Sequence, residues 1–134
     1  MTIGIYLAGV FYPEEVEIAG LLSNARLYDG KMVKVHGFLV KNTGLFWGEV
    51  YDLYAVDPIQ VEKTVCVALT TKSEILERYV LYTWDGVEFT RIRENVYPAG
   101  SILVVEGIFH DQGMVVDAPQ YYIDVSKAYL SEGI

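Results

Sequence analysis

The sequence predicts an all-β domain with minor helix, closed into a small barrel, and three observations carry that reading. The same eight-residue strand opening occurs twice: Gly30-Lys31-Met32-Val33-Lys34-Val35-His36-Gly37 and Gly100-Ser101-Ile102-Leu103-Val104-Val105-Glu106-Gly107. In each, a turn glycine launches a β-run whose inward pair is Val33/Val35 or Leu103/Val105. A second glycine, Gly37 or Gly107, then stands where a strand must curl for its sheet to close. Third, 134 residues at 52% apolar and 13% aromatic content hold a real core, since a chain of this size buries roughly two-thirds of its unfolded surface. One domain is expected over 1–134, because no Pro/Gly/Ser-rich linker divides it.

Residues 1–12 read as an apolar N-terminal extension, extended against the barrel or against a second copy. Pro13 followed by Glu14, Glu15 and Glu17 places proline and acids where a helix start favours them, which predicts a helix from about 13 to 25. Tyr28-Asp29-Gly30 then turns the chain into a first strand from Met32 to Lys41. Asn42-Thr43-Gly44 is a turn, and a second strand runs from Trp47 to Val56 before Asp57-Pro58 breaks it. Thr64 to Thr71 is the third strand; capping-box spacing from Thr71 to Glu74 predicts a short helix carrying Ile75, Leu76 and Tyr79. Asp85-Gly86 between Tyr82/Trp84 and Val87/Phe89 is a hairpin signal with a two-residue turn, expected to project as an insertion over 79–93. The fourth strand is Ser101 to His110, Asp111-Gln112-Gly113 turns it, and the fifth runs from Met114 to Val125.

Charge and cysteine usage limit the chemistry. Net charge is −8, and only residues 26–45 are basic, with Arg26, Lys31, Lys34 and Lys41 against Asp29. A carboxylate excess opposes non-specific phosphate binding. Cys66 is the only cysteine, so it forms no internal disulfide, and its apolar surroundings predict a small core hydrophobe. The apolar stretch from Ile3 to Tyr12 is too short to span a bilayer and lacks the marks of a secretion signal, which predicts a soluble, cytoplasmic protein without a membrane partner.

With its glycine-bent strands and the phrases Leu27-Tyr28-Asp29-Gly30-Lys31-Met32-Val33-Lys34-Val35-His36-Gly37 and Tyr51-Asp52-Leu53-Tyr54-Ala55-Val56-Asp57, the chain resembles an OB-fold domain. The likeness is to the five-stranded Greek-key barrels of anticodon-binding and single-strand-binding proteins, over roughly 27–125, with the hairpin outside the common core. It implies ligand binding on the face of strands two and three, between the loops Lys41 to Phe46 and His110 to Gly113. The second loop is short, which predicts a shallow groove.

The leading expectation is a non-enzymatic module that contacts single-stranded nucleic acid weakly. Lys34 and Lys41 would supply cations, and Phe46, Trp47 and Tyr54 the flat rings on which bases stack. Asp52 faces outward by strand alternation, with Tyr51 and Leu53 inward, so a carboxylate stands in the expected face. The second expectation is an acidic OB-fold adaptor binding protein, a second copy of itself included, through Phe11, Tyr12 and Trp84. An enzyme is the weakest reading: the resemblance puts His36 and His110 on neighbouring strands, but they lack metal-spaced carboxylates, and Glu49 and Asp52 have opposite strand parity. No catalytic residue, metal or cofactor is expected. A haem-handling barrel is set aside because Tyr121 to Ile134 contains no histidine.

Overall fold

Glycines 37 and 107 lie where one strand must change partner or pass close over another. In the computed structural model of the chain, which describes residues 12–45, 49–60, 65–70, 73–92, 102–114, 116 and 118–131, they are the sharpest points of contact between backbones. A Cβ on Gly37 would collide with the carbonyl oxygen of Tyr54, and one on Gly107 with that of Asp124. Only hydrogen fits there.

In chain order the described elements are β1 (Glu14–Glu15), α1 (Ile18–Ser23), α2 (Ala25–Tyr28), β2 (Met32–Asn42), β3 (Val50–Tyr54), β4 (Cys66–Thr70), α3 (Ser73–Leu76), a 3-10 turn (Glu77–Tyr79), β5 (Tyr82–Trp84), β6 (Phe89–Arg91), β7 (Ile102–Asp111) and β8 (Tyr121–Ser131). The two glycine-opened strands pair with each other, antiparallel, from Met32 opposite Ile108 to Gly37 opposite Leu103. Past Gly37, β2 leaves β7 and takes β3, from Phe38 opposite Tyr54 to Asn42 opposite Val50. β3 pairs with β4, β4 runs parallel to β8, and β8 returns to β7, so the sheet closes into a ring.

Eight strands are present among the described residues, against the five expected, and the additional three are short. Each serves β2. β1 lies parallel to its first half, at Val33 and Lys34, and β5 lies parallel to its last three residues with β6 outside it. The long strand is thereby covered on the half-edges that β3 and β7 leave open, which protects backbone groups that would otherwise pair with another chain.

Alternation along these strands fills the interior. Val33, Val35 and Leu39 from β2 meet Leu53, Val67, Leu69, Leu103, Val105, Phe109, Ile123 and Val125, and Ile18, Leu21, Leu76 and Val80 close the ends. On β8 the inward set jumps from Val125 to Ala128 and Leu130. Ser126 is the reason: the register shifts at Glu106/Gly107, leaving it as the extra residue of a bulge whose hydroxyl donates to the Glu106 carbonyl at 3.1 Å.

Several sequence expectations are corrected. The helix begins at Ile18 and not at Pro13, because the backbone of Glu14 and Glu15 is committed to β2 and the Val16 amide donates to the Lys34 carbonyl at 3.0 Å. It breaks at Asn24, whose side chain donates to the Gly20 carbonyl at 2.9 Å, and resumes as α2. The hairpin turn has four residues, Asp85 to Glu88, between the paired Trp84 and Phe89. Asp85 shapes it by accepting the amides of Val87 and Glu88 at 2.8 and 2.9 Å. Nor does the hairpin project: Val80 belongs to the core and Tyr82 is buried. The last strand starts at Tyr121, so the connection before it is long, 112–120, and is closed by the Gln112 amide donating to the Gln120 carbonyl at 2.9 Å. No helix among the described residues is long and apolar enough to cross a membrane.

Candidate functional site

Because β3 and β4 alternate, Leu53, Val67 and Leu69 enter the core while Val50, Asp52, Tyr54, Cys66 and Ala68 turn to the other side. Asp52 stands opposite Val40 on β2 and Ala68 on β4. Alanine is small, and the gap it leaves beside the carboxylate opens into a recess of about 340 Å³. Val50, Asp52, Ala68 and Thr70 form its floor, Asn42 and Leu45 one wall, and Ala118 and Pro119 the other. The walls therefore come from the end of β2 with the loop that follows it and from the loop that precedes β8.

Asp52 is the chemically unusual group here. Removal from water pushes its carboxyl up to about 6, against a downward pull from its hydrogen bond with Asn42. Among the described residues no lysine or arginine lines the recess. On the loop that supplies Ala118 and Pro119, Met114 and Val116 stand almost fully in solvent, at 93% and 87% exposure.

The candidate residues for base stacking and phosphate contact fall in separate places. Lys41 has the inward parity of Leu39 and sits at the barrel mouth, bonded to Glu77 at 3.0 Å and Glu49 at 3.2 Å. Tyr51 donates its hydroxyl to the same Glu77, so this lysine is held by two carboxylates. Lys34 is on the outer side of the other half of β2, opposite Glu106, and its ammonium is stabilised first by the Tyr129 hydroxyl and further by Glu15 and Glu106. The two cations do not form one track. Tyr54 is half-buried, edge-on to Phe89 with ring centroids 5.7 Å apart, and burial raises its phenol well above the ordinary value. Phe46 and Trp47 lie outside the described residues.

Among the residues expected at a protein interface, Tyr12 is 73% exposed and Phe11 lies outside the described residues. Trp84 is not at the hairpin tip: it closes β5, folds back and packs on Phe89 at 4.5 Å. Val87 occupies the tip. Cys66 is not in the core, since its parity turns it outward beside Tyr54; burial and the nearby Asp52 push its thiol up to about 11. His36 is exposed opposite Val104, whereas His110 stacks on Tyr122 at 4.8 Å, so the two histidines do not meet. Among the described residues no group of three or more His, Cys, Asp or Glu side chains is placed to hold a metal ion.

The resemblance put Asn42 and Leu45 in a loop beside the binding face without singling them out, and the sequence reading missed Ala118 and Pro119 as site residues. Reading a strand from Met114 onward put the last two in a ladder, although Pro119 lacks the amide a ladder needs and was the available signal. Comparison of the chain with protein-family models, curated proteins and solved structures gives no match.

Proposed function

We propose that this chain is a non-enzymatic OB-fold module that docks a protein partner on the outer face of β3 and β4. The barrel type is supported by the ring order β2-β3-β4-β8-β7 with β4 and β8 parallel, the connectivity of a Greek-key barrel in which β2, β3, β4, β7 and β8 act as strands one to five. The facing loops are then those that wall the recess.

The observation that carries the protein reading is Asp52 at the middle of that face with no cation, among the described residues, lining the recess around it. A phosphate chain brought there meets a carboxylate, while affinity for single strands depends on lysine and arginine neutralising phosphates. Met114 and Val116, exposed on the loop that supplies Ala118 and Pro119 to the recess, suit a protein surface, because exposed apolar groups mark interaction sites.

Two measurements decide between the readings. Random peptides displayed on phage are selected on the whole chain and counter-screened on Ala68→Leu, which fills the recess; a family that binds the parent and loses the variant is expected. A labelled single-stranded oligonucleotide at low salt is expected to show no change in anisotropy. Oligonucleotide binding that Ala68→Leu abolishes, with no peptide family recovered, would restore the nucleic-acid reading in place of this one.

A further inference from the structure

We propose that the recess beside Asp52 receives the side chain of an arginine presented by the partner protein. The inference rests on the docking reading above and adds the chemistry of what is docked. A carboxylate set among Val50, Leu45, Ala68 and Pro119 has lost water and, among the described side chains, gained Asn42 as a donor. Its remaining acceptor capacity points to a ligand that brings donors and positive charge.

The shape of the site narrows the choice. A helix, about 10 Å across with its side chains, does not enter a space of about 340 Å³, but one long side chain does. Two donor types of that length exist. The guanidinium is planar and weakly hydrated, so its faces can lie against the apolar walls while its edge meets the carboxylate. The lysine ammonium is a strongly hydrated point charge that loses more on entering such walls. Thr70, also on the recess lining, donates its hydroxyl to the Ile123 carbonyl at 3.4 Å and keeps acceptor capacity of its own. The overall charge of −8 also favours encounter with a basic segment.

The test uses the whole chain, isotopically labelled, and two blocked tripeptides, acetyl-Leu-Arg-Leu-amide and its citrulline counterpart, which keeps the shape and removes the charge. The arginine peptide is expected to move the backbone resonances of Asp52, Ala68 and Thr70 and to bind at least ten-fold more tightly than the citrulline peptide. Asp52→Asn should bring the two peptides level, and Ala68→Leu should abolish the changes. Equal binding of both peptides to the parent chain overturns the arginine assignment. So does binding of neither while the phage selection still returns recess-dependent ligands, and in both cases the docking reading stands. Resonance changes confined to residues away from β3 and β4 overturn the assignment as well.

Discussion

Gly37 is pressed against the carbonyl of Tyr54 at the point where β2 stops pairing with β7 and begins pairing with β3. Closure of the ring depends on that approach. A methyl group at 37 would meet the Leu53 side chain at 3.1 Å and the Tyr54 backbone closer still, and that backbone cannot move without opening the β2–β3 ladder. Gly37→Ala is expected to destabilise the fold by about 1–3 kcal/mol, the usual cost of forced overpacking, read as a lowered urea midpoint with an unchanged slope. A variant as stable as the parent would mean the strands do not close there.

Gly20 offers the opposite sign. It sits in α1, and among the described residues an added Cβ would find Val16 at an ordinary 3.7 Å and nothing nearer. Gly20→Ala should therefore raise stability by about 0.5–1 kcal/mol through reduced backbone entropy of the unfolded chain. Thermal melts of the two alanine variants side by side should move in opposite directions, and a loss of stability in both would count against the placement of α1.

The hydroxyl of Tyr82 donates to Asp57, with both carboxylate oxygens at 2.9 Å, and so ties the turn after β3 to the hairpin strand β5. Burial first, and then this carboxylate, raise the Tyr82 phenol to about 12. Tyr82→Phe keeps the buried ring and removes the bond, which should cost about 1.5 kcal/mol, the lower range for a hydrogen bond to a charged group. The Ile59 amide, which the Asp57 carboxylate also accepts at 3.0 Å, should exchange faster in the variant. Unchanged exchange there would show that the tie is not made in solution.

Legibility in the sequence followed the range of the interaction that sets each element. The inward Val33/Val35 and Leu103/Val105 and the outward Asp52 follow from period-2 patterning, which the chain displays locally, whereas the pairing of the two glycine-opened strands is implied by the resemblance to a five-stranded barrel. The strand role of Glu14 and Glu15 is set by β2, which is far away in sequence, so local helix signals at Pro13 misled. Ser126 hid the second half of β8, because a bulge reverses parity where the polar Ser126-Lys127 pair already reads as an end. At the site, Asp52 was visible through alternation, but the recess needed Ala68 and the 112–120 loop brought to it by tertiary closure. The ion pairs of Lys41 with Glu49 and Glu77 were equally hidden, since strand parity says which side a lysine takes and not which acids wait there.

Cys66 gives a chemical check on the burial of that face. With its thiol pushed up to about 11, almost none is thiolate at pH 8, and the thiolate is the reactive form. Iodoacetamide should modify the folded chain at least ten-fold more slowly than it modifies a free thiol such as glutathione, and at an ordinary rate in denaturant. Rapid alkylation of the native protein would mean that Cys66 and its neighbour Tyr54 are open to solvent and that the outer side of β4 is not packed as described.

Asp52 ties the candidate site to stability through pH. Its carboxyl is raised from 3.8 to about 6, so the folded chain holds this proton more tightly than the unfolded chain does. The stability that preference contributes is fully present below the unfolded value near 3.8 and is lost as pH rises through about 6. The two titratable neighbours coupled to it, Tyr54 and Cys66, have values raised beyond that window and stay neutral throughout it. Asp52→Asn removes the ionisation and keeps the shape. Its advantage over the parent should be near zero at pH 4 and grow to about 2–3 kcal/mol by pH 7, since each ten-fold difference in proton affinity between folded and unfolded chain is worth about 1.4 kcal/mol. Urea unfolding of both chains across that range measures the difference directly. A flat difference, or a variant weaker than its parent at neutral pH, would place Asp52 in open water and deprive the recess of the desolvated carboxylate on which its affinity for a basic side chain depends.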